Sequence, residues 1–374
     1  MNHCLSFLLL SILVISSNCS FQSVLFSQMN DKNNGKNLII SPLSIFQVLS
    51  LTANGARGET LTQMLHFLQH TNLDDLNTVN YQIVKLFRQF STLETANAVM
   101  ARFTPLPSFV NVARKYLAPV QPLKSVEQVN KWVSHKTHGK IDKILNDLTD
   151  DILMILINAV YFNGEWVKKF DRELTHKLPF YNLGKQEKSV DTMTQTEYFQ
   201  YYEDKNVQAI SLRFRRDSMS AIVILPAEGN DINRYINTLS QSDEEYNKII
   251  KGLKEVKVNL KLPKFELTFD KELSEILKKL GMTNAFNPKD ADFSGLHADL
   301  KLVINQVIHK TYLKVNEEGT EAAAATLVAT EGASGINEKI YKMHVNRPFL
   351  FLLRNSQLPA GYDLIFMSKI EKIE

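Results

Sequence analysis

The segment from Ile152 to Phe162 constrains the fold more than any other part of this sequence, because every residue in it except Asn158 is apolar. A short apolar run without polar alternation is typical of a strand that is buried on both faces. Such a strand belongs in the middle of a sheet, with other elements covering both faces of that sheet. The sequence therefore predicts a chain built around a covered central sheet.

Other segments predict further strands. Apolar and polar residues alternate from Val256 to Leu262, as in a half-buried strand. Ala209–Arg215 and Met219–Leu225 flank the short connection Arg216-Asp217-Ser218, which predicts a hairpin.

Two helix starts can also be predicted. Ser41 followed by Pro42 is typical of a helix N-cap and first turn, and we expect that helix to run toward Gly55. Asp270 is predicted to cap a second helix, whose apolar residues recur at helical spacing until Gly281 ends it. Since predicted helices cluster early and strands late, the expected class is α+β.

The composition fits a globular protein and indicates no charged partner. The 374 residues carry 43 Lys and Arg against 40 Asp and Glu, a net charge of +3, and 44% of the residues are hydrophobic. This near balance gives no reason to expect nucleic acid or a membrane surface as a partner. No linker, repeat or block of like charges divides residues 21–374, so we expect one continuous domain over residues 20–374.

The first residues have the pattern of a secretory signal peptide. Ten of the twelve positions from Cys4 to Ile15 are apolar, a run too short to span a bilayer, which takes about 20 residues. Small residues at Ser17 and Cys19 suit a cut before Ser20, so residues 1–19 are predicted to be the signal of a secreted, extracellular protein. The alternative is an uncleaved first helix of an intracellular protein, which the lack of Lys or Arg before the run favours.

Cleavage before Ser20 would also change the chemistry of the chain. It would remove both cysteines and the only Asn-X-Ser/Thr sequon, Asn18-Cys19-Ser20. We therefore expect a mature chain without a disulfide, a reactive thiol or an N-linked glycan.

Motifs of common enzyme classes are missing from the sequence. None of the nine His residues precedes Glu, and His135 with His138 is explained more simply by an exposed polar segment than by a metal site. Gly332-Ala333-Ser334-Gly335 begins like a nucleophile elbow but lacks its last Gly. We therefore expect that the protein is not an enzyme and that it binds no cofactor or metal. The alternative is a catalytic Ser/His/Asp set assembled from distant positions.

The segment from Glu317 to Thr330 can form a strand although it is rich in Ala. The run Ala322–Ala325 favours a helix by propensity alone. Even-numbered positions from Thr320 to Thr330 are all small or β-branched, however, and the charges of Glu321 and Glu331 are on odd positions. As a strand, the segment could enter a sheet on its even face without burying a charge, with its odd face in water. Residues 332–335 are small and polar, as in an exposed loop that proteases bind.

The sequence resembles the serpin family over nearly its whole length from Phe21. The resemblance is carried by Asn37–Ile45, Asn130–Ile141, Asn158–Trp166, Leu262–Glu266, Ala291–Leu296, His309–Ala322 and Asn346–Phe351. It implies the α+β serpin fold, with three β-sheets, eight or nine helices and an exposed reactive-centre loop at about residues 317–345.

The resemblance also implies a mechanism, because serpins inhibit serine proteases by being cut. The protease forms an acyl-enzyme with the loop, and the cleaved loop then inserts into the central sheet and deforms the protease. If Gly319–Gly332 insert, these 14 residues at about 3.3 Å each would carry the protease roughly 45 Å. We expect a monomeric serine-protease inhibitor; the alternative is a non-inhibitory serpin that carries a ligand or acts as a chaperone.

Positions in the family pattern assign roles to particular residues. Trp166 falls at the breach, where insertion begins, and the small residues of the hinge indicate an inhibitory member. The shutter, a hydrogen-bonded cluster under the opening strands, comprises Ser41, Ser44, Asn158 and His309. The hinge comprises Glu317, Gly319, Thr320, Glu321, Ala322, Ala323, Ala324 and Ala325.

The scissile bond is expected between Ala333 and Ser334, because the family spacing from Glu317 ends at Ala333. Counting back from Pro348 ends at Asn337 instead, and Lys339 offers trypsin-like proteases a basic residue; both are alternatives. The small Ala333 side chain suits an elastase-like serine protease as the partner. The sequence has no dense basic stripe, so we expect no strong heparin site.

Overall fold

Helices predominate in the first half of the chain, as predicted. The computed structural model describes residues 19–31, 35–320 and 339–374, and nine α-helices lie within them. They are α1 (Phe21–Asp31), α2 (Pro42–Ala53), α3 (Gly58–Phe67), α4 (Leu73–Phe87), α5 (Pro107–Lys115), α6 (Val126–Lys136), α7 (Ile232–Gln241), α8 (Glu244–Gly252) and α9 (Ser274–Lys279).

Sixteen strands lie in the same described residues. They are β1 (Leu38–Ile40), β2 (Leu93–Ala101), β3 (Val120–Pro122), β4 (Met154–Phe162), β5 (Gly164–Glu165), β6 (His176–Asn182), β7 (Gln186–Glu203), β8 (Val207–Arg213), β9 (Met219–Pro226), β10 (Lys254–Pro263), β11 (Phe265–Glu272), β12 (Gln306–Val315), β13 (Gly319–Thr320), β14 (Tyr341–His344), β15 (Phe349–Asn355) and β16 (Leu364–Ile370).

The strands form three sheets. The nine-stranded sheet has the order β1-β16-β15-β9-β8-β7-β10-β14, with β6 paired to β7, and the five-stranded sheet has the order β11-β12-β4-β2-β3. Strands β13 and β5 form a separate pair. The nine α-helices and three sheets of the described residues confirm the predicted α+β class and the architecture that the resemblance implied.

The strand predicted from Ile152–Phe162 is β4, and all nine of its residues are buried. It lies in the middle of the five-stranded sheet, parallel to β12 and antiparallel to β2. One face of β4 joins the main core through Leu156 and Val160, and the other joins a smaller apolar cluster through Ile155 and Ile157, to which α6 also contributes. Its near-continuous apolar sequence is therefore explained by burial on both faces.

Helix α2 is buried along its whole length. It contacts β2 and β4 of the five-stranded sheet and β16 of the nine-stranded sheet. A helix enclosed in this way needs apolar residues on all sides, as its sequence has. The main core is thus built around α2, between the two large sheets.

Two helix-cap predictions were wrong in part. Pro42 does begin α2, but the Ser41 side chain makes no capping hydrogen bond. Asp270 lies within β11, not before a helix, because β11 pairs along its length with β12, where Lys310 is its partner and forms an ion pair with it at 3.3 Å. Helix α9 starts four residues later, at Ser274, and the chain turns at Gly281 with a φ of +102°.

Candidate functional site

A tight turn at Asn316–Gly319 joins β12 to the short strand β13. The Asn316 Oδ1 atom accepts hydrogen bonds from the backbone N–H groups of Glu318 at 3.0 Å and Gly319 at 3.2 Å. The Asn316 N–H donates to the Gly319 carbonyl at 2.9 Å. Strand β13 then pairs antiparallel with β5, directly beyond the end of β4. The turn therefore sends the chain back in the direction opposite to β12 and β4.

Gly319 and Thr320, two of the predicted hinge residues, are held against Gly164. Gly319 has a φ of +146°, and a Cβ atom built on it would lie 2.0 Å from the Gly164 carbonyl oxygen, so no other residue fits there without a shift. Thr320 is fully buried, and its Oγ1 accepts a hydrogen bond of 2.8 Å from the Gly164 N–H.

Glu317, also predicted as a hinge residue, is a buried carboxylate with two side-chain partners. Its Oε1 lies 3.0 Å from Lys264 Nζ and accepts a hydrogen bond of 2.8 Å from Thr175 Oγ1. Burial acts to raise the pKa of Glu317, but hydrogen bonds from its own backbone N–H, from Lys264 and from Thr175 outweigh burial and lower the pKa. The first residue of the predicted hinge is thus ionised and anchored.

Glu318 forms a second buried ion pair beside it. Its carboxylate lies 2.7 Å from Lys169 Nζ and 3.3 Å from Arg172 Nη2. The hydrogen bond to Glu318 is the main cause that raises the pKa of Lys169, although burial acts in the opposite direction. Neither Glu318 nor Lys169 was predicted as part of the site.

Trp166, predicted at the breach, contacts this turn directly. Its indole is buried and stacks on Phe214 with ring centroids 4.3 Å apart. The indole Nε1 donates a hydrogen bond of 3.0 Å to the Asn316 carbonyl, and the Trp166 N–H donates one of 2.9 Å to the Glu318 carbonyl. The structure therefore brings Trp166 and the start of the predicted hinge together.

A second polar cluster lies within the core beneath β4 and β12. Asn158 and His309 are register partners in these strands, and Asn158 Oδ1 is hydrogen bonded to His309 Nδ1. Asn158 Nδ2 donates to Ser44 Oγ of α2 and to Asn97 Oδ1 of β2, the latter at 2.6 Å. All four side chains are buried. The cluster joins the two parallel strands to each other and to the elements behind them.

The protonation of His309 follows from its partners. The Ser41 backbone N–H donates to His309 Nε2 at 3.1 Å, so the ring proton is on Nδ1 and is donated to Asn158. Complete burial lowers the pKa of His309 to about 3, and the ring is neutral at physiological pH. Within the described part of the chain, the Ser41 hydroxyl has no hydrogen-bond partner. Ser41 belongs to the cluster through its backbone only.

Several predicted site residues lie outside the described residues: Glu321, Ala322, Ala323, Ala324, Ala325, Ala333, Ser334 and Asn337. Lys339 is described and exposed, and its Nζ lies 3.9 Å from the ring centroid of Tyr341. Tyr341 begins β14, which pairs in parallel with β10. The predicted loop of residues 317–345 is therefore held at one end by the hinge turn and at the other by β14.

Several contact residues of the two clusters were not predicted, among them Asn316, Gly164, Asn97 and Lys169. Asn316 and Gly164 lie inside sequence blocks that resemble serpins, so the blocks carried a signal for them. Asn97 and Lys169 have no such local signal, because each acquires its role from a partner distant in sequence, Asn158 or Glu318.

The described residues hold no candidate metal site and no helix that could cross a bilayer. His138 lies 3.4 Å from Glu94, and no group of three or more His, Cys, Asp or Glu side chains there could hold a metal ion. No described helix has the length and apolarity that a bilayer crossing requires. At the predicted signal boundary, Cys19 is buried and its Sγ lies 2.9 Å from the Ser240 carbonyl; residues 1–18 are outside the described residues.

The chain matches one family model. The model is described as Serpin (serine protease inhibitor) and covers residues 16–372. A leukocyte elastase inhibitor of Xenopus laevis is 34% identical to the chain, with 95% of this chain and 98% of the relative aligned. Intracellular coagulation inhibitor 2 of Tachypleus tridentatus is 34% identical, with 91% and 87% aligned.

Solved structures show the same likeness. The native state of tengpin, a thermophilic serpin, superposes with a TM-score of 0.85 at 33% identity, covering 95% of this chain and 92% of tengpin. Human thyroxine-binding globulin in complex with thyroxine superposes with a TM-score of 0.83 at 25% identity, covering 95% of this chain and 97% of that chain.

Proposed function

Because the chain belongs to the serpin family, we propose that it inhibits a serine protease by being cut in its reactive loop and inserting that loop into the five-stranded sheet. The insertion site is the boundary between β4 and β12. In this proposal, the turn at Asn316–Gly319 is the hinge, Trp166 marks the breach, and the Ser44, Asn97, Asn158 and His309 cluster is the shutter.

The pairing of β4 with β12 is the observation that carries the proposal. These two strands are parallel neighbours, whereas β12 pairs antiparallel with β11 and β4 pairs antiparallel with β2. A strand that entered between β4 and β12 and ran opposite to both would replace one parallel pairing with two antiparallel ones. Antiparallel pairing is slightly more stable per residue. The hinge turn already directs the chain in this sense.

The side chains of residues 320–331 suit such a strand on both faces. The sequence predicts that the even face of the strand enters the core and that its odd face can stay in water; α6 lies on one side of this sheet, with Val129 and Val133 in the same apolar cluster as Ile155 of β4. Positions 323, 325, 327 and 329 are Ala, Ala, Leu and Ala, so the odd face is apolar along its middle. Its charges, Glu321 and Glu331, come only at the two ends.

Insertion must supply the energy that holds a protease in a deformed state. At about 0.5–1.5 kcal/mol net for each new hydrogen bond, a strand of this length contributes on the order of 10 kcal/mol. Against this gain, opening the sheet separates Asn158 from His309 and the turn residues from Trp166. The small residues of the hinge could enter the opened sheet without forcing its strands further apart, which supports an inhibitory member over a carrier.

We further propose that the protein is secreted, with the target an elastase-like serine protease cleaving at Ala333-Ser334. Signal cleavage before Ser20 is testable by N-terminal sequencing of protein from the medium of cells that express the full chain. Recovery of the chain only inside the cells, with its first residues intact, would favour the intracellular alternative. The name of the Tachypleus relative is consistent with that alternative.

One gel experiment tests the inhibitory function. The protein is incubated separately with elastase, chymotrypsin and trypsin, and a covalent complex that survives SDS is expected with elastase. Mass spectrometry of the released peptide should give Ser334 as its first residue; a first residue of Ile340 would move the scissile bond to Lys339.

Two other outcomes would reject the proposal, one on the same gel and one in a separate activity assay. Cleavage by all three proteases without any stable complex would indicate a non-inhibitory serpin, an alternative consistent with the likeness to thyroxine-binding globulin. Turnover of an ester substrate by intact protein would indicate an enzyme.

A further inference from the structure

A cleft of about 1040 Å³ lies between α5, β3 and the segment that joins β2 to α5. Its lining includes Arg102, Arg114, Leu117, Val120 and Lys124. None of these residues takes part in the hinge, the breach or the shutter. The volume is at the upper end of the range of about 300–1,000 Å³ that small-molecule sites occupy.

The charge of this cleft is unbalanced. Three cations line it, and Asp150 is the only carboxylate among its lining residues. Asp150 forms an ion pair with Arg102 at 3.1 Å, whereas no carboxylate in the described chain forms an ion pair with Arg114 or Lys124. The Nε atom of Arg102 is inaccessible and has no hydrogen-bond partner among the described residues. The cleft therefore offers unneutralised positive charge and a buried donor.

The walls of the cleft are largely apolar. Phe103, Val110 and Val120 are partly buried in it, and Leu117 is 48% exposed at its lining. Leu117 has a φ of +54°, a left-handed conformation that is unfavourable for Leu. Leu117 is the residue just past the C-cap of α5, and the Ala118 N–H donates to the Ala113 carbonyl at 3.3 Å, so this conformation ends the helix. The Leu117 side chain is exposed in the same cleft as Arg114 and Lys124, so the cleft presents apolar surface together with unpaired cations.

We propose that this cleft binds an amphipathic anion: an apolar chain or ring system that carries one carboxylate or sulfonate group. The apolar part would lie against Phe103, Val110 and Leu117, and the anionic group would pair with Arg114 and Lys124. A polyanion is a poorer match, because Arg114 and Lys124 are the only cations lining this largely apolar cleft that have no carboxylate partner in the described chain. The inference does not depend on whether the chain inhibits a protease.

The test uses the fluorescent anion 8-anilinonaphthalene-1-sulfonate as probe and dodecanoate as competitor. Titration of the folded protein should show saturable binding of the probe, and dodecanoate should displace it. Dodecanol has the same chain without the charge and should compete at least tenfold less well. Dodecanoate should also raise the midpoint of thermal unfolding, because a ligand that binds only the folded state stabilises it.

Charge-reversal variants locate the site. The double variant Arg114→Glu, Lys124→Glu should weaken dodecanoate binding at least tenfold. Lys115→Glu is the matched control, since Lys115 shares the last turn of α5 with Arg114 but is not a lining residue and lies over the Tyr81 ring at 5.6 Å. Its affinity for dodecanoate should equal that of the wild type.

Three outcomes would overturn the proposal: no saturable binding, equal competition by dodecanol, or equal affinities in the double variant and the control. If the double variant does not fold, Leu117→Glu replaces it, because that side chain is exposed and the new charge would repel the anion. Unchanged affinity in Leu117→Glu would then overturn the proposal.

Discussion

Gly319 approaches Gly164 so closely that a Cβ atom on Gly319 would lie 2.0 Å from the Gly164 carbonyl oxygen. The contact is part of the antiparallel pair formed by β13 and β5, at the point where the chain turns back beside β4. The start of the proposed hinge is thus a closed backbone junction whose geometry depends on glycine.

Replacing Gly319 by Ala should therefore destabilise the native state. We expect a loss of about 2 kcal/mol or more, from the φ of +146° together with the clash. Gly281→Ala is the control for φ alone, since Gly281 has a φ of +102° and nothing within 4 Å of the added Cβ. Thermal unfolding midpoints measure both; an equal shift in the two variants would mean that the Gly164 contact carries no cost.

Thr320→Arg should convert the proposed inhibitor into a substrate. Thr320 is fully buried, and its position begins the even face that we propose enters the sheet, where a guanidinium would be buried without a partner. The number of inhibitor molecules consumed for each trapped protease should rise at least tenfold. Thr320→Val is the control, because it loses the hydrogen bond from Gly164 but stays small, and it should still form complexes. Normal trapping by Thr320→Arg would contradict insertion at this position.

The Lys169–Glu318 ion pair should stabilise the hinge turn in a way that depends on both partners. Lys169→Met should lower the free energy of unfolding by about 3 kcal/mol, because it removes the nearest cation from the buried Glu318 carboxylate. The double variant Lys169→Met, Glu318→Gln should recover most of that loss. Lys168→Met is the matched control, since Lys168 pairs with Glu197 near the surface and its loss should cost less than about 1 kcal/mol. Additive effects in the double variant would show that the pair is not coupled.

His309 should make stability depend on pH in the acidic range. Above about pH 6.5 the ring is neutral in both the folded and the unfolded state, so it adds no pH dependence. Below that value the His309 ring is protonated in the unfolded state, whereas in the folded state it stays neutral down to its pKa of about 3. The free energy of unfolding should fall by about 1.4 kcal/mol for each pH unit between these limits.

The measurement is the difference in unfolding free energy between the wild type and His309→Gln, which removes the contributions of the carboxylates. This difference should decline from pH 6 to pH 4. The variant His176→Gln replaces an exposed His and should keep the wild-type slope. A flat difference for His309→Gln would contradict a buried neutral imidazole.

Local pattern was enough to predict several elements of the fold. The buried strand β4, the alternation in β10 and the hairpin of β8 and β9 all follow from short-range periodicity. The prediction for Asp270 was wrong because pairing with β12 places it in a strand, and that partner lies 40 positions later at Lys310. The cap predicted at Ser41 was wrong in that its hydroxyl makes no hydrogen bond to the helix, while its backbone N–H donates to the His309 ring.

The sequence by itself determined the class of the fold, the family, and a segment whose even positions can enter a sheet. Those properties follow from periodicity, side-chain size and ordered motifs, all of which are local. Only the tertiary structure decided that β4 and β12 are parallel neighbours, that Glu318 meets Lys169, and that Asn97 joins Asn158. These relationships join residues far apart along the chain, and burial selects their partners through the need to pair each charge and each hydrogen-bonding group.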